Sequence, residues 1–373
     1  MKVLVAGGGT GGHVYPAIAI ANELRHRHPD WQIEFAGRHN QIEGRAVPAA
    51  GYEIHNLHVA GYERFYNLWE KALVVGRLVV AMKDSFKLLR KIKPDIVIGT
   101  GGYISGPITM AAALKNIPTL VSEQNVIPGF TIKTLSKVVD TVCIPFSEAR
   151  DYMAKPEKCV LTGNPVRREF GLFTREMARR SLGIGDDQKF IFSMGGSLGA
   201  ASINDAVSEM IMKKAEDKSY FFIHITGKNS HEEVISKLNE KGFDPTKHDN
   251  VRILSFTNDM PMMLNAADMV ISRSGAMSLS EINYVGVPAI YVPYPYAVHD
   301  HQTKNAMFSV KNNAAILIED DRLTSDMLIS CIGEILSDKE RASEMRENSK
   351  AIGITNSAEL IAIEVEKLLA DKM

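Results

Sequence analysis

Short apolar runs alternate along this chain with stretches in which apolar positions recur every three to four residues. Val3-Leu4-Val5-Ala6 is the first run, and Ala17, Ile18, Ile20, Ala21 and Leu24 then follow at helical spacing. A continuous apolar run suits a strand buried on both faces, and its alternation with helices predicts parallel sheets covered by helices. The pattern places strands in the first half at Val3-Ala6, Gln32-Ala36, Ile54-Val59, Ile96-Gly99, Thr119-Ser122, Thr141-Ile144 and Val160-Thr162. In the second half it places them at Phe190-Met194, Phe221-Thr226, Val251-Ser255, Val270-Ser272, Ala289-Val292 and Ala315-Ile318. Gly163-Asn164-Pro165-Val166 interrupts both periods, so a hinge is expected there. The expected fold is α/β, with two doubly wound parallel-sheet domains over residues 1–163 and 164–356 facing a cleft. A serine-capped helix, Ser357-Lys372, closes the chain, and its apolar face could pack on either domain.

Composition narrows the classes. A chain of 373 residues suits two domains, and 45% apolar with 23% charged residues is ordinary for a folded protein. A net charge of -1 gives no support to a globally basic nucleic-acid binder. Cys143, Cys159 and Cys331 are widely spaced and odd in number, which predicts free thiols in a reducing compartment. The first strand begins at Lys2, and nowhere do 18 apolar residues run together, so neither an export signal nor a membrane span is expected.

The chemistry gathers at strand-to-helix turns. Gly7-Gly8-Gly9-Thr10-Gly11-Gly12-His13 joins the first strand to the first helix, where free helix amides attract an anion and His13 can move a proton beside it. Gly7, Gly9 and Gly12 also fit a dinucleotide fingerprint, but the second strand ends in Gly37-Arg38 without a carboxylate; Arg38 could suit a 2'-phosphate, so NADP is weakened less than NAD. Similar turns occur at Gly99-Thr100-Gly101-Gly102 and Gly195-Gly196-Ser197-Leu198-Gly199. A further one, Arg273-Ser274-Gly275, leads into Ala276-Met277-Ser278-Leu279-Ser280-Glu281. Here a diphosphate could meet the helix start and Glu281 a ribose, or Ser278 and Glu281 could form a capping box. Asn125 stands at a strand's carboxyl end, and the loop Pro293 to Gln302 is rich in hydrogen-bonding groups that suit a sugar. His299 and His301 lack further ligands at metal spacing. Residues 62–93 interleave aromatic and aliphatic side chains with an excess of Lys and Arg, which fits either a helix lying on an anionic membrane or a core helix with a basic outer face.

Taken together, Gly8–His13, Gly101–Pro107, Glu123-Gln124-Asn125, Gly163–Arg167, Gly195-Gly196-Ser197, Arg273–Ala276 with Ser280-Glu281, and His301-Gln302 with Asn305-Ala306 resemble the MurG family of bacterial N-acetylglucosaminyltransferases. The resemblance spans nearly the whole chain. It implies a GT-B fold of two Rossmann-like lobes, the last helix crossing back to the first lobe, and no metal or other cofactor. It implies UDP-N-acetylglucosamine as donor and an undecaprenyl-diphosphate-linked muramyl-pentapeptide as acceptor, at the cytoplasmic face of the cell membrane. Carried onto this sequence, it puts Arg167, Ser197 and the helix start at Ala276, Met277, Ser278, Leu279 and Ser280 near the donor diphosphate and Glu281 on the ribose. Asn125 and Gln302 would hold the sugar, the backbone of Thr257 the uracil, and Thr10, Gly11 and Gly12 the lipid diphosphate. An α-linked donor and a β-linked product call for in-line displacement, with His13 as general base. A UDP-sugar 2-epimerase of the same architecture, an NADP oxidoreductase and a non-catalytic lipid-carrier binding protein are the rival readings.

Overall fold

The computed structural model describes residues 1–57, 59, 68–196 and 199–371, and the side chains among them except those of 68–75 and 298. The chain divides into two compact units, Met1–Arg167 with Thr355–Met373, and Arg168–Ile354.

The first unit carries a parallel sheet of β1 (Lys2–Ala6), β2 (Gln32–Gly37), β3 (Glu53–Asn56), β4 (Ile96–Gly99), β5 (Thr119–Ser122), β6 (Thr141–Ile144) and β7 (Cys159–Leu161), in the order β3-β2-β1-β4-β5-β6-β7. Val3, Leu4, Val5, Ile96, Val97 and Ile98 are wholly buried, as an all-parallel sheet requires, while β3 at the edge is polar and partly exposed. Its helices are α1 (Gly11–Arg27), α2 (Glu43–Ala49), α3 (Leu68–Ile92), α4 (Gly102–Leu114) and α5 (Phe130–Leu135).

The second unit repeats the plan with β8 (Lys189–Met194), β9 (Tyr220–Ile225), β10 (Val251–Leu254), β11 (Met269–Ser272), β12 (Ala289–Tyr291) and β13 (Ala315–Leu317), ordered β10-β9-β8-β11-β12-β13. Around them lie α6 (Arg175–Leu182), α7 (Ala201–Lys214), α8 (His231–Glu240), α9 (Met260–Ala266), α10 (Ala276–Val285), α11 (His301–Lys311), α12 (Ser325–Ser337) and α13 (Lys339–Ile352). Beside α6, Asp268 pairs with Arg175 at 2.5 Å and with the buried Arg179 at 3.1 Å. Burial is the main influence on the neighbouring Arg346, pulling its guanidinium down to about 10.

The last helix, α14 (Ser357–Ala370), belongs to the first unit. Ile361, Ala362, Val365 and Leu369 enter the same core as Val14, Ala17, Ile18, Ala21 and Leu24 of α1. Arg27 clamps Glu366 with two hydrogen bonds of 2.8 and 2.9 Å, and His28 adds a third at 2.7 Å. The expected helix end at Lys372 lies outside the described residues.

In both sheets the strand order reverses beside the first strand, between β1 and β4 and between β8 and β11. Doubly wound sheets bind ligands at such switch points, outside the carboxyl ends of the strands. The turns 7–12 and 100–101 stand at the first switch point, and 195–196 and 273–275 at the second.

Candidate functional site

The first glycine turn separates into two parts with different reasons for being glycine. Gly7 to Gly9 are glycine because of packing: an added Cβ would lie 1.9 Å from Thr100 Oγ1 at Gly7, 2.6 Å from Ile104 at Gly8 and 2.9 Å from Tyr103 at Gly9. The Gly9 amide is already committed, donating to the buried Glu43 carboxylate at 3.0 Å. Thr10, Gly11 and Gly12 remain on the outside, with Thr10 as N-cap of α1 and without a side-chain capping bond. Val14 is the first residue to make an i→i−4 bond, to Thr10, so the amides of Gly11 and Gly12 stay open for an anion. Glu43 also takes the Arg38 amide at 3.2 Å.

His13 sits in the first turn of α1 with its ring against the second glycine turn. Its Nδ1 lies 3.1 Å from the Thr100 carbonyl and 3.0 Å from Gln124 Oε1. Thr100 Oγ1 returns a bond to the His13 carbonyl at 2.8 Å. Gly101, at φ 95°, is required here, because a Cβ would fall 2.8 Å from His13 Nδ1. After β5, the buried Glu123 organises the rim: its Oε1 accepts the amides of Gln124 and Asn125 at 2.8 and 2.9 Å and the Asn125 side chain at 3.1 Å. Asn125 is thereby held at the carboxyl end of the sheet. Arg167 lies over the Tyr15 ring at 5.8 Å, which places it beside α1.

The second unit offers a helix start of a different kind. Gly275 caps α10 at φ −62° and ψ 139°, a conformation open to any residue, and an added Cβ would have no atom within 4 Å. Leu279 makes the first i→i−4 bond, so the amides of Ala276, Met277 and Ser278 face outward ahead of it. Ser278 lies inside the helix and Gly275 is the cap, so the Ser278–Glu281 capping box does not form. Glu281 and Ser280 follow one turn on. Gln302 is drawn to this helix start: its carbonyl accepts the Ser274 hydroxyl at 2.8 Å and its Oε1 the Tyr294 amide at 2.9 Å. His299 and Asp300, just before it, both hold positive φ, of 55° and 54°. Arg273 turns away from the helix start, bonding the carbonyls of Val292 and Pro293 at 3.1 and 3.0 Å and pairing with Asp320. Thr257 closes a turn after β10 by accepting the Asp259 amide at 3.0 Å. Ser197 lies outside the described residues, as do 62–67 of the basic aromatic stretch.

Three contributors escaped the sequence reading: Glu43, Glu123 and Gln124 in its contact with His13. Each acts on a glycine turn or an amide through the fold, and Gln124 is 111 positions from His13. Among the described residues, Glu34, Glu53 and His55 come close enough to share a metal ion, but they stand on β2 and β3, where His55 Nε2 and Glu34 already bond each other at 2.6 Å.

Residues 3–144 match the glycosyltransferase family 28 N-terminal domain and residues 190–362 the family 28 C-terminal domain. A UDP-N-acetylglucosamine–N-acetylmuramyl-(pentapeptide) pyrophosphoryl-undecaprenol N-acetylglucosamine transferase of Acetivibrio thermocellus is 39% identical over 372 residues, covering 100% of this chain and 99% of its own. The transferase of the same name from Halalkalibacterium halodurans is 39% identical over 368 residues, 99% of each chain. Among solved structures, Acinetobacter baumannii MurG superposes with a TM-score of 0.76 at 25% identity, covering 98% of this chain and 99% of its own. A UDP-GlcNAc 2-epimerase from Neisseria meningitidis shares the fold, with a TM-score of 0.68 at 14% identity over 98% of this chain and 100% of its own. Whole-length identity to the transferases, on two family 28 domains, makes this chain a member of glycosyltransferase family 28, in its MurG group.

Proposed function

We infer that this enzyme transfers N-acetylglucosamine, with inversion, from UDP-N-acetylglucosamine to undecaprenyl-diphospho-N-acetylmuramyl-pentapeptide, a step of peptidoglycan synthesis. The observation that carries this reading is the 39% identity over the whole chain to transferases bearing that name. The epimerase likeness, at 14% identity, extends to fold alone.

In this reading the second unit takes the donor. The diphosphate meets the amides of Ala276, Met277 and Ser278 in the space left by Gly275, with Leu279 and Ser280 completing the helix start and Ser197 adding a hydroxyl. Glu281 accepts from the ribose hydroxyls, the Thr257 backbone reads uracil, and Gln302 holds the sugar. The first unit takes the acceptor, with Thr10, Gly11 and Gly12 on its diphosphate. Asn125 assists with the sugar, and Arg167 supplies positive charge for the departing diphosphate.

His13 is the proton acceptor. The acceptor hydroxyl oxygen attacks the anomeric carbon as its proton passes to His13, and the bond from that carbon to the diphosphate breaks with its electron pair leaving on UDP. General-base help of this kind is worth about 10²- to 10⁴-fold. Preorganised helix amides stabilise the charge growing on UDP, which asks nothing of a metal ion.

Membrane association rests on α3. Its later half packs Ala81, Leu89 and Ile92 inward, whereas Leu78, Val79 and Val80 are 52%, 62% and 51% exposed beside Arg77 and Lys83. Apolar residues standing in solvent among cations suit an anionic bilayer surface, and no described helix is long and apolar enough to cross one. The lipid acceptor would be met there, on the cytoplasmic face where the sugar nucleotide is found.

The test is to incubate the purified chain with labelled UDP-N-acetylglucosamine, a short-chain lipid acceptor and a chelator. A disaccharide-lipid product is expected. Epimerised sugar nucleotide without acceptor would favour the rival reading, and product only after adding a divalent ion would overturn the metal-free mechanism.

A further inference from the structure

We propose that Gln124 is a positioning residue which, together with the Thr100 carbonyl, locks the His13 imidazole in one tautomer, with the proton on Nδ1 and the lone pair on Nε2. The inference rests on the reading of His13 as general base and explains what prepares it for that task.

The Thr100 carbonyl, 3.1 Å from Nδ1, can only accept. Gln124 could in principle offer either end of its amide, but its Nε2 donates to the Ser122 carbonyl at 2.8 Å. A reversed amide would set two carbonyl oxygens against each other, so Oε1 is the atom facing His13, at 3.0 Å. Nδ1 therefore meets two acceptors and no donor, an arrangement that favours a proton there in both the neutral and the protonated ring. Nε2 is left as the basic nitrogen.

Little in this arrangement is free to move. Gln124 is 2% exposed and Thr100 fully buried, and Asn164 ties down the Gln124 carbonyl at 2.9 Å. Gly101 and Gly102 leave no side chain between the ring and its partners: a Cβ at Gly102 would lie 2.3 Å from the Gly8 carbonyl and 3.3 Å from His13 Cδ2. The two glycine turns at this switch point thus enclose the imidazole and aim it. A base held in the wrong tautomer is costly even where its position is unchanged.

The experiment uses the full chain with ¹⁵N-labelled histidine, in solution alkaline enough for neutral rings, with His13 identified by the signal lost in His13→Ala. In the parent protein Nδ1 should show the protonated and Nε2 the unprotonated nitrogen shift. Gln124→Leu should blur this signature towards a mixture and lower kcat about 10- to 100-fold with both KM values unchanged. Gln124→Met, nearly isosteric but without the facing oxygen, guards against a leucine variant that fails to fold and should blur the signature in the same way. A His13 signature that persists in Gln124→Leu overturns the proposal, whatever happens to activity, because Gln124 would then be merely structural. Near-normal turnover in His13→Ala, with the signature still dependent on Gln124, would instead overturn the base assignment and leave the tautomer lock standing.

Discussion

The Glu43 carboxylate accepts the Gly9 amide at 3.0 Å from the interior side of the first glycine turn. Its other oxygen takes the Arg38 amide at 3.2 Å, so one wholly buried group joins the turns after β1 and β2. Such a carboxylate is tolerable only while both amides face it. Glu43→Gln presents an NH₂ group to one of them and should cost about 1–3 kcal/mol in denaturant unfolding. Because Gly9 leads directly into Thr10–Gly12, kcat should fall as well, with donor KM unchanged. Parent-like stability would show that the turn holds its shape without the carboxylate.

Gly275 allows a direct test of the donor site. Its conformation suits alanine and nothing stands within 4 Å of the added methyl, so Gly275→Ala should fold normally, at a cap penalty below about 1 kcal/mol. With UDP-N-acetylglucosamine bound, that methyl would occupy the space assigned to the diphosphate. Donor KM should rise about tenfold, equivalent to about 1.4 kcal/mol of lost binding. Unchanged donor KM would move the diphosphate elsewhere.

A pH effect on stability comes from His224, buried in β9 with Nδ1 2.9 Å from Ser193 Oγ. Burial pulls its pKa down from 6.5 to about 4. As pH falls through this window the unfolded chain takes up the proton and the folded chain does not, so stability present above pH 6.5 is lost towards pH 4. The loss should reach about 3 kcal/mol for this one group. Urea unfolding at a series of pH values should show the decline, and His224→Gln should flatten it. An equal slope in the variant would assign the effect to other groups.

Exposed apolar residues on α3 should matter only when a membrane is present. Leu78→Glu with Val79→Glu replaces side chains 52% and 62% exposed, so folding should be little affected. Sedimentation with anionic vesicles should fall sharply, while turnover of a water-soluble short-chain acceptor stays near that of the parent. Undiminished vesicle binding would remove α3 from the membrane reading.

What could be read from the sequence depended on how local each signal was. The strands β4, β5 and β6 begin and end at the expected residues, because each is a short buried segment with an apolar centre, bounded by polar or turn residues. The third strand was expected to reach Val59 but stops at Asn56. Leu57 and Val59 are apolar because they enter the core, at 1% and 8% exposure, and not because they join the sheet. Glycine was equally ambiguous: the first turn announced an anion site, yet Gly7 to Gly9 answer to Thr100, Ile104 and Tyr103, brought there by folding. His13 and Asn125 could be singled out by residue type and position. Gln124 could not, since its significance lies in a contact across the sheet's switch point and in an amide orientation set by Ser122.

The position of α14 in the chain has a consequence for biosynthesis. The second unit is continuous, from Arg168 to Ile354, and can complete its core as soon as it leaves the ribosome. The first unit, although translated earlier, must wait for the final helix, and until then the face of α1 bearing Val14, Ile18 and Leu24 lacks its apolar cover. The half of the enzyme made first is therefore finished last, and a nascent chain stalled before Ser357 would present that face to chaperones.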